Sequence, residues 1–203
     1  MYNKNMKCIC IGAGDKPNKN IVKESGDLLV AVDGGWNYID ENIVDMVVGD
    51  FDSLGYEPDS DKVVKLEVRK DYTDMWVACQ KGYELGYREF WLYGATGGRF
   101  DHTLANIQLA TNLAKKGCEV AVKDNSFDLF VTRTQVVLDD MAGRGVSVFA
   151  VDNAVVDLIG LDYSAQNLTI NNDFPIGVSN RVVQERAVVK IRRGVAVIVV
   201  DFA

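Results

Sequence analysis

The stretch "DMVVGDFDSL" runs from Asp45 to Leu54. Its apolar run, Met46 to Val48, closes on Gly49 and is followed at once by Asp50 and Asp52. A short apolar run bounded by turn residues reads as a buried strand, since a helix needs more length. Two carboxylates at the end of such a strand repel each other, so their placement needs a reason. One reading is a turn in which Asp and Ser side chains accept from local backbone amides. The other is a bound cation. If the chain stays extended here, residues two apart project to the same side, which brings both carboxylates onto one site.

The same pattern recurs on either side. "MKCICIGAG" (6–14) and "DLLVAVDGG" (27–35) are apolar runs ending in glycine, "KVVKLE" (62–67) is a weaker one, and "EFWLYGATGG" (89–98) is a fifth. Helical spacing separates some of them. Met75, Ala78, Cys79, Gly82 and Leu85 form one stripe, and Leu104, Ile107, Ala110 and Ala114 another. Near-continuous apolar strands alternating with helices predict a mostly parallel sheet with helices on both faces. After about residue 125 the texture changes to short β-rich runs: "FDLFVT", "QVVLDD", "GVSVFAVD", "AVVDLIGLDY", "LTINN", "RAVVKI" and "GVAVIVVDF". Those runs predict an antiparallel sandwich or barrel, with "RRG" (192–194) as a hairpin turn between the last two strands. The expected organisation is an α/β catalytic domain over 1–125 and a β-rich domain over 126–203.

Charge and composition narrow the function. The chain has 203 residues, 48% hydrophobic and 25% charged, enough for a real core and too apolar for wholesale disorder. A net charge of -7 argues against a general nucleic-acid binder, which needs surplus Lys and Arg to displace counterions. No apolar run approaches the ~20 residues of a membrane span, and "MYNKNMKCIC" (1–10) lacks the long apolar core and small-residue cleavage site of a secretion signal, so a cytoplasmic protein is expected. Cys8, Cys10, Cys79 and Cys118 lie in apolar segments without a Cys-x-x-Cys pair and read as reduced core thiols. His102 is the single histidine, which excludes a multi-histidine metal site.

Ligands of an open parallel sheet bind at the carboxyl ends of its strands, and the polar residues collect there. Asp33 follows the second run, Asp50 and Asp52 the third, Lys70, Asp71 and Asp74 the fourth. "GATGGRFDH" (94–102) follows the fifth. A hard divalent ion such as Mg²⁺ prefers carboxylate oxygens and would relieve the repulsion between Asp50 and Asp52. Thr73 suits a helix cap, with Asp74 stabilising the positive helix end; Asp74 could also complete a metal site. Gly94, Gly97 and Gly98 let backbone approach a ligand, the helix behind them offers free amides to an anion, and Arg99 adds a fork suited to phosphate. A plain glycine-rich turn with Asp101 as cap explains the glycines but leaves Arg99 unexplained. "GVSN" (177–180) taken alone reads as turn chemistry.

Together, "DGG" (33–35), "GDFDS" (49–53), "KDYTD" (70–74), "GATGGRFDHTLAN" (94–106) and "GVSN" (177–180) resemble the thiamin pyrophosphokinase (thiamin diphosphokinase) family across nearly the whole chain. The resemblance implies a homodimer and a reaction in which thiamin and ATP give thiamin diphosphate and AMP. It implies that Asp50, Asp52 and Asp74 hold Mg²⁺. It also implies that Asp33, Lys70, Asp71, Thr73, Gly97, Gly98, Arg99, Asp101, His102 and Asn106 surround ATP and the reacting phosphates. Ser179 and Asn180 would approach thiamin. Asp74 and Asp101 are the two candidates for accepting the hydroxyl proton. Trp76, "GLDYSA" (160–165) and Arg181 depart from the family pattern. Two other readings compete: a pyrophosphokinase or kinase for another hydroxymethyl heterocycle such as a pterin, and a nucleotide-binding regulatory module without turnover.

Overall fold

A computed structural model of the chain describes residues 6–52, 54–67 and 71–202. It divides into two compact units. The first runs up to Leu109 and includes Val122–Asn125; the second takes Ala110–Ala121 and everything from Ser126 onward. The division therefore passes through the second helix and the sixth strand.

In the first unit the apolar runs become β1 (Lys7–Ile11), β2 (Leu28–Val32), β3 (Met46–Gly49), β4 (Val63–Lys65) and β5 (Glu89–Tyr93). They lie in the order β5-β1-β2-β3-β4, every neighbouring pair parallel. Side chains alternate between the two faces of the sheet with the two-residue period of a strand. From β1, Cys8 and Cys10 face α1 (Asp74–Glu84), with Cys10 Sγ 3.8 Å from Cys79 Sγ. Ile9 and Ile11 point the other way and pack with Leu29, Ala31, Val47 and Phe51. That second face is closed by Trp36 and Tyr38 of a 3-10 helix, Asp33–Tyr38. β2 is buried along its whole length, as a strand covered on both faces must be.

α1 starts where its cap predicts. Thr73 Oγ1 accepts the amide of Trp76 at 3.2 Å, and Asp74 occupies the first turn. Its buried stripe is Met75, Ala78, Cys79 and Gly82. Leu85, expected in that stripe, caps the helix end and is exposed, because the helix stops one residue before it. α2 (Phe100–Lys115) shows a similar shift. Leu104 is exposed, and the buried side of the helix is carried by Asn106, Leu109, Ala110, Leu113 and Ala114. After α2 comes β6 (Glu119–Lys123).

The second unit is all β beyond the end of α2 and β6. β7 (Phe127–Thr132), β9 (Gly145–Ala150), β12 (Asn180–Arg181) and β14 (Ala196–Asp201) pair antiparallel in the order β12-β9-β14-β7. β8 (Gln135–Asp139), β10 (Asn153–Ile159), β11 (Ala165–Asn171) and β13 (Arg186–Arg193) form a second antiparallel sheet, β11-β10-β13-β8. Val146, Val148, Ile198 and Val200 of the first sheet share one core with Leu138, Val156, Ile170 and Val189 of the second. Each such side chain removed from water contributes about 1.5–3 kcal/mol.

The hairpin expected at 192–194 does not form. β13 pairs with β10 and β8, while β14 pairs with β7 and β9. Gly194, at φ 89, turns the chain from one sheet into the other. Both strands bury every second residue, a pattern that suits a hairpin and a change of sheet equally; here the two strands lie in different sheets, and their apolar faces meet in one core.

Candidate functional site

Three of the predicted strand-end residues gather at the carboxyl ends of β2 and β3. Asp33, Asp50 and Asp52 each place a carboxylate oxygen within 4.8 Å of the others, the one such group of three among the described residues. Register explains how. Val32 lies opposite Val48, so Asp33 leaves β2 beside Gly49, and the absence of a side chain there lets the aspartate come close.

The backbone at this point is not extended. Phe51 adopts φ 61, and Asp33 adopts φ 48. Left-handed backbone costs an ordinary residue roughly 1–2 kcal/mol, and for a bulky one such as Phe it is a true outlier. What offsets it is the Phe51 ring, 4% exposed and packed into the core beside Ile9, Val44 and Val47. The ring turns inward, and Asp50 and Asp52 are left together on the outer side. The Asp52 amide donates to Asp50 Oδ1 at 3.3 Å. The hydrogen bond of the turn reading is present, and the carboxylates of Asp33, Asp50 and Asp52 still lie close together. Asp33 and Asp50 are half-buried and Asp52 is exposed. Three carboxylates with only oxygen to offer form a hard donor set that fits Mg²⁺ and is a poor match for soft metals.

Asp74 lies at the start of α1 and is not a member of this trio. Asp71 is exposed, and Tyr72 stacks on Trp76 with ring centroids 5.7 Å apart. Lys70 lies outside the described residues.

The glycine-rich loop divides into a packed part and an open part. Gly94 abuts Gly12 so closely that a β-carbon on it would sit 2.3 Å from the Gly12 carbonyl oxygen. Gly97, at φ 78, faces the Asp15 carboxylate in the same way. These two glycines serve the approach of one chain segment to another. Gly98, at φ 56, has open space around it. Beyond it, Arg99 and Asp101 form an exposed two-pronged pair, Nε to Oδ1 at 3.1 Å and Nη2 to Oδ2 at 2.6 Å. The guanidinium's hydrogen bonds hold the Asp101 carboxyl below its usual range. Asp101 sits inside the first turn of α2, where it also accepts the His102 amide, and so is not the cap. His102 is exposed. Asn106 is buried and donates to the Ala95 carbonyl at 2.7 Å, fastening the loop to the helix.

In the second unit, Ser179 adopts φ 61 and its amide donates to Ser147 Oγ at 3.2 Å. The Asn180 side chain is largely engaged. Its Oδ1 accepts the amides of Tyr163 and Arg181, and its Nδ2 donates to the Tyr163 carbonyl. It organises the turn over 161–164 and leaves Tyr163 71% exposed.

The profile of the thiamin pyrophosphokinase catalytic domain matches residues 20–122, half of the chain. The chain belongs to the thiamin pyrophosphokinase family. It is 27% identical to the thiamine pyrophosphokinase of Bacillus subtilis over 96% of this chain and 98% of that one. It is 29% identical to a thiamin pyrophosphokinase of Caenorhabditis elegans over 79% of this chain and 74% of that one. In fold it is similar to the crystal structure of the Bacillus subtilis enzyme, with a TM-score of 0.80 at 22% identity over 98% and 100% of the two chains. The Geobacillus thermodenitrificans thiamin pyrophosphokinase structure gives 0.78 at 25% identity, with 98% of each chain covered.

The matched region contains the aspartate trio, the start of α1 and the whole "GATGGRFDHTLAN" loop. Spacing in the sequence did not show that Asp33 joins Asp50 and Asp52. The available signal was that Asp33 and Gly49 each end an apolar run. That signal needs the β2–β3 pairing before it means anything.

Proposed function

We propose that this protein is an ATP-dependent diphosphotransferase that moves the β,γ-diphosphoryl group of ATP onto the hydroxyl of thiamin, releasing AMP. The observation that carries this is the convergence of Asp33, Asp50 and Asp52 at the strand ends of a chain in the thiamin pyrophosphokinase family. These three would hold Mg²⁺, which when bound supplies positive charge to the phosphate oxygens of ATP. Asp74 remains a further carboxylate for that side of the site.

Arg99 is the chain's own counter-charge. Asp101 engages it in a two-pronged geometry that a phosphate can take over. Gly98 leaves room for phosphate oxygens beside the loop backbone. Asp71, Thr73, Gly97, His102 and Asn106 complete the nucleotide side, Asn106 through its hold on Ala95; Lys70 belongs with them on sequence grounds. Asp74 and Asp101 are the two candidates for accepting the hydroxyl proton, and Arg99 holds the Asp101 carboxyl below its usual range as long as the two stay paired. Positioning and charge stabilisation supply most of the acceleration in such transfers. Ser179 and Asn180 are assigned to thiamin, Asn180 by shaping the 161–164 turn. The active form is taken to be a cytoplasmic homodimer. No helix among the described residues is long and apolar enough to cross a membrane.

A coupled assay for AMP with ATP, Mg²⁺ and thiamin tests this reading. AMP release with a hydroxymethyl pterin and none with thiamin would overturn it, as would binding of ATP and thiamin without any AMP.

A further inference from the structure

Asp124 and Asn125 close β6, and neither carries a recognisable motif. The Asp124 carboxylate accepts from Thr96 Oγ1, a hydroxyl in the middle of the glycine-rich loop. Asn125 reaches a second loop. Its Oδ1 accepts the Asn18 amide at 2.9 Å, and its Nδ2 donates to the Lys16 carbonyl at 3.0 Å. The two loops are also joined to each other, Gly14 N to Gly94 O at 2.8 Å and Asp15 N to Thr96 O at 2.9 Å. Asn106 adds a hold on Ala95 from α2. All of these residues belong to the first unit.

The result is an uneven loop. Ala95 and Thr96 are buried and tied from three directions, by Asp124, Asp15 and Asn106. Gly98 has open space and Arg99 is exposed on the solvent side. An anchor two residues before a glycine with open space around it narrows the positions open to Arg99, and reaction rate depends steeply on such placement.

We propose that Asp124 and Asn125 are positioning residues for the nucleotide. They act through Thr96 and through residues 16–18 to set the loop that presents Arg99. This rests on the function proposed above. A purely structural brace would lower the melting temperature and leave substrate constants alone; a positioning brace moves the constants for ATP.

The experiment compares the full-length protein with Asp124→Ala, Asn125→Ala, Thr96→Val, Thr96→Ser and the double variant Asp124→Ala/Thr96→Val. It measures KM for ATP and for thiamin, kcat, Mg–ATP affinity by calorimetry, and melting. Losing this part-buried hydrogen bond is expected to weaken Mg–ATP binding and raise KM for ATP by about five- to ten-fold in Asp124→Ala and Thr96→Val. Asn125→Ala should shift the same constants in the same direction. KM for thiamin should stay within about two-fold of the parent, and Thr96→Ser should behave like the parent. The double variant should be no worse than the poorer single one, the mark of one shared interaction. Folded variants with unchanged ATP constants, or a double variant whose losses add, would overturn the proposal. If Asp124→Ala does not fold, the contrast between Thr96→Val and Thr96→Ser decides. A parent protein that binds no Mg–ATP overturns the functional reading, and this one with it. A parent that binds it as well as its variants do overturns only the brace.

Discussion

Asp33 stands against Gly49: a β-carbon built on the glycine would lie 3.1 Å from the aspartate's α-carbon and 3.0 Å from the Phe51 ring. The pairing of Val32 with Val48 enforces this proximity, and with it the meeting of Asp33, Asp50 and Asp52. Gly49→Ala should therefore push Asp33 aside without unfolding the sheet. A Mg²⁺ or Mn²⁺ titration is expected to show affinity lowered by roughly ten-fold, the size of effect that supporting residues have on metal sites. Unchanged affinity would mean that the trio does not depend on this contact.

Asp52→Asn removes one of three like charges at an exposed position. Metal-free protein should melt at the same temperature or slightly higher, since repulsion is relieved. The rise in melting temperature on adding Mg²⁺ should shrink sharply, and kcat should fall by on the order of 100-fold. Paired melts with and without Mg²⁺, alongside the AMP assay, check both arms. A fully active variant would remove Asp52 from its assigned role.

Phe51 sets two effects against each other, a buried ring and a left-handed backbone. Phe51→Ala should cost about 3–5 kcal/mol in urea unfolding. Phe51→Gly deletes the same ring, and glycine usually costs up to about 1 kcal/mol more than alanine in regular structure. Here the order should reverse, with the glycine variant more stable than the alanine one, because glycine carries no penalty at φ 61.

Asn180→Ala should destabilise the second unit by about 2–3 kcal/mol, since it strands the Tyr163 amide and carbonyl. Asn180→Asp keeps the two accepting bonds and should recover part of the loss. Urea titration followed by tyrosine fluorescence reads the difference.

Asp157 is buried in β10, paired with Arg192 and accepting the amide of Asn167. The hydrogen bond from Arg192, followed by that from Asn167, holds its carboxyl below the ordinary value. A folded-state pKa below the unfolded one gives stability that is present above the unfolded carboxylate pKa of about 3.9 and lost as pH falls through the folded value. Melting of the parent should drop steeply below about pH 4. Asp157→Asn should flatten that drop while lowering the midpoint at neutral pH.

Much of this is legible in the sequence alone. Cys8, Ile9, Cys10 and Ile11 announce a strand buried on both faces, and Thr73 announces a helix start, because both signals are local. The stripe expected for α2 includes Leu104, which is exposed, since periodicity alone does not say where the buried arc begins. The turn at Gly194 reads as a hairpin in the sequence because a hairpin and a change of sheet look identical until the pairing partners are known.

The sequence by itself determined the class of fold, the strand-end location of the aspartates and the family motifs, all of which depend on residue type and spacing along the chain. Only the tertiary structure decided which aspartates meet. Asp33 and Asp50 are brought together by the register of β2 on β3, and Asp50 and Asp52 by the inward pull of the Phe51 ring. Both causes are contacts between residues distant in sequence or buried in the core, and no local pattern encodes them.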